Sequence, residues 1–339
     1  MSAAEEVVAE GHEAVEAVPK RAMTLGTGTS LVVLAALLIA PVFVKNFIIF
    51  QMTMLLIYGL AVLALNILTG GSGQFSLGQS AFYAVGAYTS AILMEQYNIN
   101  YALTLPVAGV VCFGFGFLFG QPALRLSGVY LALATFALAT AMPQILKLGF
   151  FEHWTGGVQG LVVTKPDEPF GLPMSQDMWL YYFTLAITIA IYIFSVNLLR
   201  SRSGRAFMAI RDNEIAASAM GIDVATYKTL AFGVSAGITG VAGGLGAIAV
   251  QFVAPDSYTI VLAISLFLGM VVGGVGWLPG SFIGAAFIIF VPNIAEGISK
   301  GLSGAVFGVL LFLIIFLVPH GARQVAMVAQ QLLSKVRKT

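Results

Sequence analysis

Side chains able to do covalent or proton chemistry are scarce in this 339-residue chain, and their placement argues against a catalyst. The three histidines, His12, His153 and His320, lie outside the apolar segments or at their ends, and the single cysteine, Cys112, sits inside an apolar run. One cysteine excludes an internal disulfide and a cysteine metal site. Intramembrane proteases need a buried His or Asp, and ion-coupled carriers hold ionisable groups at depth. No ionisable residue stands at the centre of an apolar segment here. Nor is there a G-x-x-x-x-G-K-S/T loop to cradle a nucleotide. Energy from ATP would therefore have to enter through a separate subunit, and the chain itself carries no cofactor.

The polar residues that remain gather in two places. The first is 200–228, which holds five of the sixteen Lys/Arg residues between two apolar segments. Apolar positions Ala206, Ala209, Ile210, Ile215, Ala217, Met220 and Ile222 alternate with charged ones from Arg205 to Tyr227. Arg211 and Glu214, three apart, are expected to face alike on a helix. Asp212-Asn213-Glu214 reads as a second helix start, because acidic groups favour the positive end of the helix dipole. Gly221 reads as its stop. The expectation is a helix of about two turns lying across the membrane face. Ala216, Ala217 and Ala219 are smaller than a lipid-anchoring helix requires and suit a close fit into a protein groove.

The second place is 66–82, with four glycines and seven polar side chains in an otherwise apolar stretch. Backbone released from a helix inside a bilayer must be buried in protein or line a wet cavity. Two readings stand open: a broken helix whose Asn66, Gln74, Ser76 and Gln79 edge a translocation path, or a tight turn with small-residue packing. A later cluster, Gly269, Gly273, Gly274, Gly276, Gly280 and Gly284, repeats the pattern Gly-Gly-x-Gly found at Gly70-Gly71-Ser72-Gly73. Close helix packing is the expectation for most of it, and for Gly237, Gly240, Gly243, Gly244 and Gly246.

The elements that must hold these residues are membrane helices. The chain is 59% hydrophobic and 9% charged, against roughly 25% charged in soluble domains. No Asp, Glu, Lys or Arg occurs between Lys45 and Glu95, room enough for two spans. Ten apolar segments are read at 28–44, 47–69, 76–95, 101–121, 128–149, 178–199, 229–252, 258–275, 280–298 and 304–319. The eighth and ninth are either two helices or one broken pair. With both termini in the cytoplasm, alternation puts twelve basic residues inside and four, Lys45, Lys147, Lys165 and Lys300, outside. The expected fold is thus an all-α polytopic membrane protein of about ten transmembrane helices, N-in and C-in, with a broken-helix segment and a cytoplasmic coupling helix. Residues 1–27 form an acidic cytoplasmic tail without the apolar core of a signal peptide. Residues 28–320 form the membrane domain, with an external loop at 150–177 and a cytoplasmic loop at 200–228. Residues 321–339 form a basic cytoplasmic tail. The external loop suits either a partner or a plain connection. The net charge of +1 gives no reason to expect nucleic acid.

Three ordered motifs then carry a family resemblance over about 50–320. Gly204-Arg-Ala-Phe-Met-Ala-Ile-Arg-Asp-Asn-Glu-Ile-Ala-Ala-Ser-Ala-Met-Gly-Ile222 resembles the G-R-A-x-x-A-I-R-x-N-E-x-A-A-x-x-x-G-I run of M-type branched-chain amino-acid permeases. It is also similar to the E-A-A-x-x-x-G loop of ABC importers, with Glu214 one place early. Residues 65–88 and 124–135 resemble the family's early motif and its R-L-x-G-x-Y motif. Phe75-Ser-Leu-Gly-Gln79 stands where the H-type partner usually has N-F-A-H-G.

The resemblance implies a multi-pass inner (plasma) membrane permease that pairs with an H-type permease. Two cytoplasmic ATPases would bind ATP and Mg, and a periplasmic or extracellular binding protein would deliver substrate. It implies branched-chain or related amino acids as cargo. Urea, short amides and aromatic acids are carried by similar importers. Arg205, Arg211, Glu214, Ala216, Ala217 and Gly221 would then form the ATPase-coupling loop. The competing class is an ATP-independent channel, which would leave that loop without a purpose.

Overall fold

A computed structural model of the chain describes residues 35–41, 43–123, 128–167, 174–298 and 308. The expected tails, the segment 304–319 apart from Gly308, Lys300 and the Arg125 region of the second motif lie outside the described residues. After helical residues 35–41 comes α1, Asn46–Asn66, which runs straight into a π-turn at Ile67–Gly71. Then follow α2 (Gln79–Glu95), α3 (Tyr101–Ala123), α4 (Val129–Leu146), the short α5 (Gly149–Thr155) and a two-residue strand β1 (Leu161–Val162). Next are α6 (Gln176–Arg200), α7 (Arg202–Asp212), α8 (Glu214–Ala219), α9 (Val224–Val250), β2 (Phe252–Val253) and a 3-10 turn at Pro255–Tyr258. The last described elements of length are α10 (Ile260–Gly273) and α11 (Gly280–Ile298).

Among the described residues, six helical stretches are long and apolar enough to cross a membrane: Asn46–Gly71, Tyr101–Gln121, Val129–Leu146, Gln176–Arg200, Val224–Val250 and Pro255–Gly273. The expected segments between 47 and 298 each coincide with a helix. The open choice at 258–298 resolves into two helices, α10 and α11, joined by a turn. One departure from an all-α fold is the antiparallel β1–β2 ladder, Leu161 opposite Val253 and Val162 opposite Phe252.

Helix α9 is the buried centre, packed mainly on α3, α2 and α1. Apolar side chains gain little from leaving lipid, so close approach of backbones has to drive association inside a bilayer. Glycine supplies that approach. A Cβ on Gly243 would stand 2.1 Å from the Tyr83 carbonyl oxygen, and one on Gly86 2.1 Å from that of Gly240. Gly240 leaves room for Cys112, whose Cβ would otherwise be 2.5 Å away. Toward one end, Phe82 meets Phe232 edge-on at 5.6 Å, a favoured aromatic geometry.

The connections separate into two poles. At one lie 66–74, the 200–228 segment and the 274–279 turn, with hydrogen bonds from 66–74 to each of the other two. At the other, Gln96 donates to the carbonyls of His153 and Trp154 at 3.1 and 3.2 Å. There too the Glu95 carboxylate accepts from the Thr164 amide and hydroxyl, both at 2.8 Å, and Lys147 pairs with Asp256 at 2.6 Å. The sequence alternates between these poles, as antiparallel spans require.

Candidate functional site

The 200–228 segment is built as two short helices set at an angle by their caps. Ser201 ends α6 and caps α7, its Oγ accepting from the Gly204 amide at 3.3 Å. A Cβ on Gly204 would stand 2.4 Å from the Leu198 carbonyl oxygen, so only glycine permits this reversal. Ala206, Phe207 and Ile210, spaced three and four apart, bury one face of α7, and Phe207 meets Tyr227 of α9 edge-on.

Asn213 is extended (φ −162°) and breaks the helix. Its Oδ1 then caps α8, accepting from the Ala216 amide at 3.0 Å. At the far end the Ile222 amide reaches back to the Ala217 carbonyl and the Gly221 amide to that of Ser218, a closure that requires a left-handed residue. Gly221 supplies it, at φ +78°. The helix start at Asp212-Asn213-Glu214 and the stop at Gly221 therefore fall where the sequence puts them. Asp223 caps α9, and hydrogen bonds from the Thr226 hydroxyl and then its amide hold the Asp223 carboxyl below its ordinary value.

One expectation needs correction. Arg211 and Glu214 do not share a helix face, because the extended Asn213 separates α7 from α8. Arg211 instead pairs with Asp212 and donates through Nη1 to the Gly70 carbonyl of the π-turn at 2.8 Å. Glu214 pairs with Lys228 at the start of α9. Arg205 donates to the carbonyl of Arg200 and is exposed. Ala216 is exposed and Ala217 is buried against the rest of the fold, whereas Ile215 and Met220 stand out at 84% and 83% exposure. Ile215 and Met220 thus present large apolar side chains that no other described residue covers.

Asn66, Gln74, Ser76 and Gln79 are all buried. Each makes hydrogen bonds inside the chain. The Oδ1 of Asn66 accepts from the Gly276 amide at 2.7 Å, while its Nδ2 donates to the Trp277 carbonyl at 3.1 Å and to Ser281 Oγ at 3.3 Å. Gln74 donates to Ser72 Oγ and to the Lys228 carbonyl. Ser76 Oγ accepts from the Gly78 amide. Gln79 donates to Ser235 Oγ and accepts from the Thr239 hydroxyl, both at 2.8 Å, which joins the start of α2 to α9.

The structure brings the two Gly-Gly-x-Gly segments into contact. A Cβ on Gly70 would lie 2.5 Å from the Gly276 nitrogen and 2.6 Å from Asn66 Oδ1. Lys228, Ser235, Thr239, Trp277 and Ser281 join the predicted residues in this polar junction, and the repeated glycine pattern was the available signal for the 274–281 side. Among the described residues no group of three His, Cys, Asp or Glu is placed to hold a metal ion.

Comparison with known proteins agrees with this architecture. The family model described as branched-chain amino acid transport system / permease component matches residues 47–318. The chain is 35% identical over 247 residues to the high-affinity branched-chain amino acid transport system permease protein LivM of Salmonella typhimurium, and 34% identical over the same length to that of Escherichia coli. Each alignment covers 66% of this chain and 58% of the relative, so the chain spans little more than half the length of these curated relatives. It is also 27% identical over 212 residues, 58% of this chain and 57% of the relative, to the autoinducer 2 import system permease protein LsrC of an Enterobacter species. No solved structure matches.

Proposed function

We infer function from membership: the chain belongs to the family of branched-chain amino acid transport system permease components, and it acts as one translocating subunit of an ATP-driven importer. The match over 47–318 carries this reading. The multi-pass membrane location follows from that family and from the six apolar helices long enough to span. Branched-chain or related hydrophobic amino acids are the proposed cargo. An H-type permease, two cytoplasmic ATPases and an external binding protein are the proposed partners. ATP and Mg would be held by the ATPases.

Within this reading the α7–α8 segment is the docking surface. Three features support it. The segment is fixed by caps at Ser201 and Asn213 and by the closure at Gly221. It shows Ile215 and Met220 outward. It is also tied to the membrane helices through Arg211 and Glu214. The basic residues Arg200, Arg202, Arg205, Arg211 and Lys228 share this pole, which supports placing it in the cytoplasm. Movement imposed on α8 when the ATPases close would switch the pore between its two access states.

Glu214→Lys removes the ion pair to Lys228 and sets two cations together. In proteoliposomes holding the whole assembly, leucine uptake should fall at least about tenfold while the permease still inserts and assembles. Unchanged uptake would remove the docking role. Leucine entry that proceeds without ATP would favour a facilitator instead. The similarity to an autoinducer 2 import permease makes the cargo the first thing to vary in that assay.

A further inference from the structure

The contact between the two glycine segments has a consequence for how a permease of this kind is driven, and it rests on the importer reading above. Arg211 of α7 donates to the Gly70 carbonyl, and its backbone packs on Gly73, where a Cβ would stand 3.3 Å from Arg211 Cα. Gly70 in turn touches both Asn66 and Gly276. Asn66, 1% exposed, uses its amide oxygen and nitrogen together to hold the turn between α10 and α11. The chain of contact from α7 to that turn therefore has no gap.

The far end of this chain is tightly interlocked. A Cβ on Gly284 would stand 1.8 Å from the Gly269 carbonyl oxygen, and one on Gly273 2.2 Å from that of Gly280, so α10 and α11 are interlocked backbone to backbone. The α11 helix rests chiefly on α10 and α1. Backbone contacts of this closeness deform little, and displacement at one end is passed on rather than absorbed. The π-turn is the natural place for the input. Its widened turn departs from the regular ladder, and such turns recur at functional positions.

We propose that Arg211 and Asn66 are positioning residues in series: they pass movement of α7 through the π-turn carbonyl of Gly70 to the α10–α11 pair. Neither needs to touch the cargo. Arg211 reads the loop, and Asn66 fixes how far the α10–α11 turn follows.

The test is cargo moved per ATP hydrolysed in proteoliposomes holding the full assembly, with leucine as the probe. Arg211→Ala and Asn66→Ala should each lower that ratio about tenfold, a common size for a coupling effect. The double variant should be no worse than the more severe single one, since steps in series are not additive. Arg211→Lys keeps a donor for the Gly70 carbonyl and should recover part of the ratio. Val110→Ala, exposed on α3 and outside both the docking segment and the contact chain, should leave it unchanged.

A wild-type ratio in Arg211→Ala overturns the proposal. So do single effects that multiply in the double variant, or an equal loss in Val110→Ala. If Asn66→Ala fails to assemble, a spin label at Val275, exposed in the α10–α11 turn, replaces it in a Cys112→Ser background. ATP should shift that label in the otherwise native protein and not in Arg211→Ala, and a persisting shift sinks the relay. Absence of ATP-dependent leucine uptake by the wild-type assembly would overturn the importer reading itself, and the same assay reads it separately.

Discussion

Glycine does two different jobs in two regions of this molecule. Along α9 and its neighbours, Gly86, Gly240 and Gly243 sit in regular helix, and what they supply is the absence of a side chain. At the junction of the π-turn with the α10–α11 turn, Gly73, Gly274 and Gly276 have positive φ, and what they supply is a backbone conformation. Gly70 belongs to the first kind in contact and to the second region in place, with Gly276 pressed against it. The first region is a clamp that tolerates no added atom. The second is a jointed contact in which space and strain can be separated by substitution.

Three substitutions sharpen that contrast, and Cys112 reports on all of them. It is the chain's single cysteine and is fully buried, so a thiol-reactive dye will signal loss of the fold on heating. The largest effect is expected for Gly243→Val. Its Cβ would meet the Tyr83 carbonyl, a backbone atom that cannot rotate away. Overpacking of this kind costs about 3 kcal/mol or more, and the membrane-inserted yield and the dye midpoint should both drop sharply. Recovery of a wild-type midpoint would show that α9 and α2 can separate freely.

Gly276→Ala is the intermediate case. A Cβ there has its nearest neighbour, the Gly70 carbonyl oxygen, at 3.9 Å, so nothing clashes. The cost should be that of φ +79° alone, about 1–2 kcal/mol, read as a modest fall in midpoint with assembly intact. A loss as large as that of Gly243→Val would mean the junction is a clamp after all. The smallest effect belongs to Gly114→Ala on α3, where nothing lies within 4 Å and the backbone is helical. It should be neutral or raise stability by about 0.5 kcal/mol through lost freedom of the unfolded chain. A marked fall in the dye midpoint would reveal a close neighbour at that position.

Much of the fold could be read from the chain because the bilayer allows so few solutions. Runs such as 101–121 and 178–199 had to be helices, and α3 and α6 are. The helix start at Asp212-Asn213-Glu214 and the stop at Gly221 were legible because the signals for helix ends are local. The β1–β2 ladder was not legible, since two residues in each of two loops leave no periodicity. The pairing of Arg211 failed for a related reason: whether Asn213 continues a helix or breaks it depends on the cap it finds, which spacing alone does not reveal. Asn66 and Gln79 stand out as polar residues in an apolar stretch, and both are buried. Their partners, Gly276 and Trp277 or Ser235 and Thr239, lie more than 150 positions further along the chain, so sequence could not say whether they met protein or water.

Helix α9 joins the two poles directly. Its 27 residues make a rod about 40 Å long. One end is held through Lys228 to Glu214 and Gln74, and the other runs through Gln251 into the ladder with β1. A rod gripped at both ends cannot be tilted from one side alone. By thermodynamic reciprocity, a partner bound at the loop of 202–219 that changed the affinity of the opposite face would have its own affinity changed by the same factor from that face.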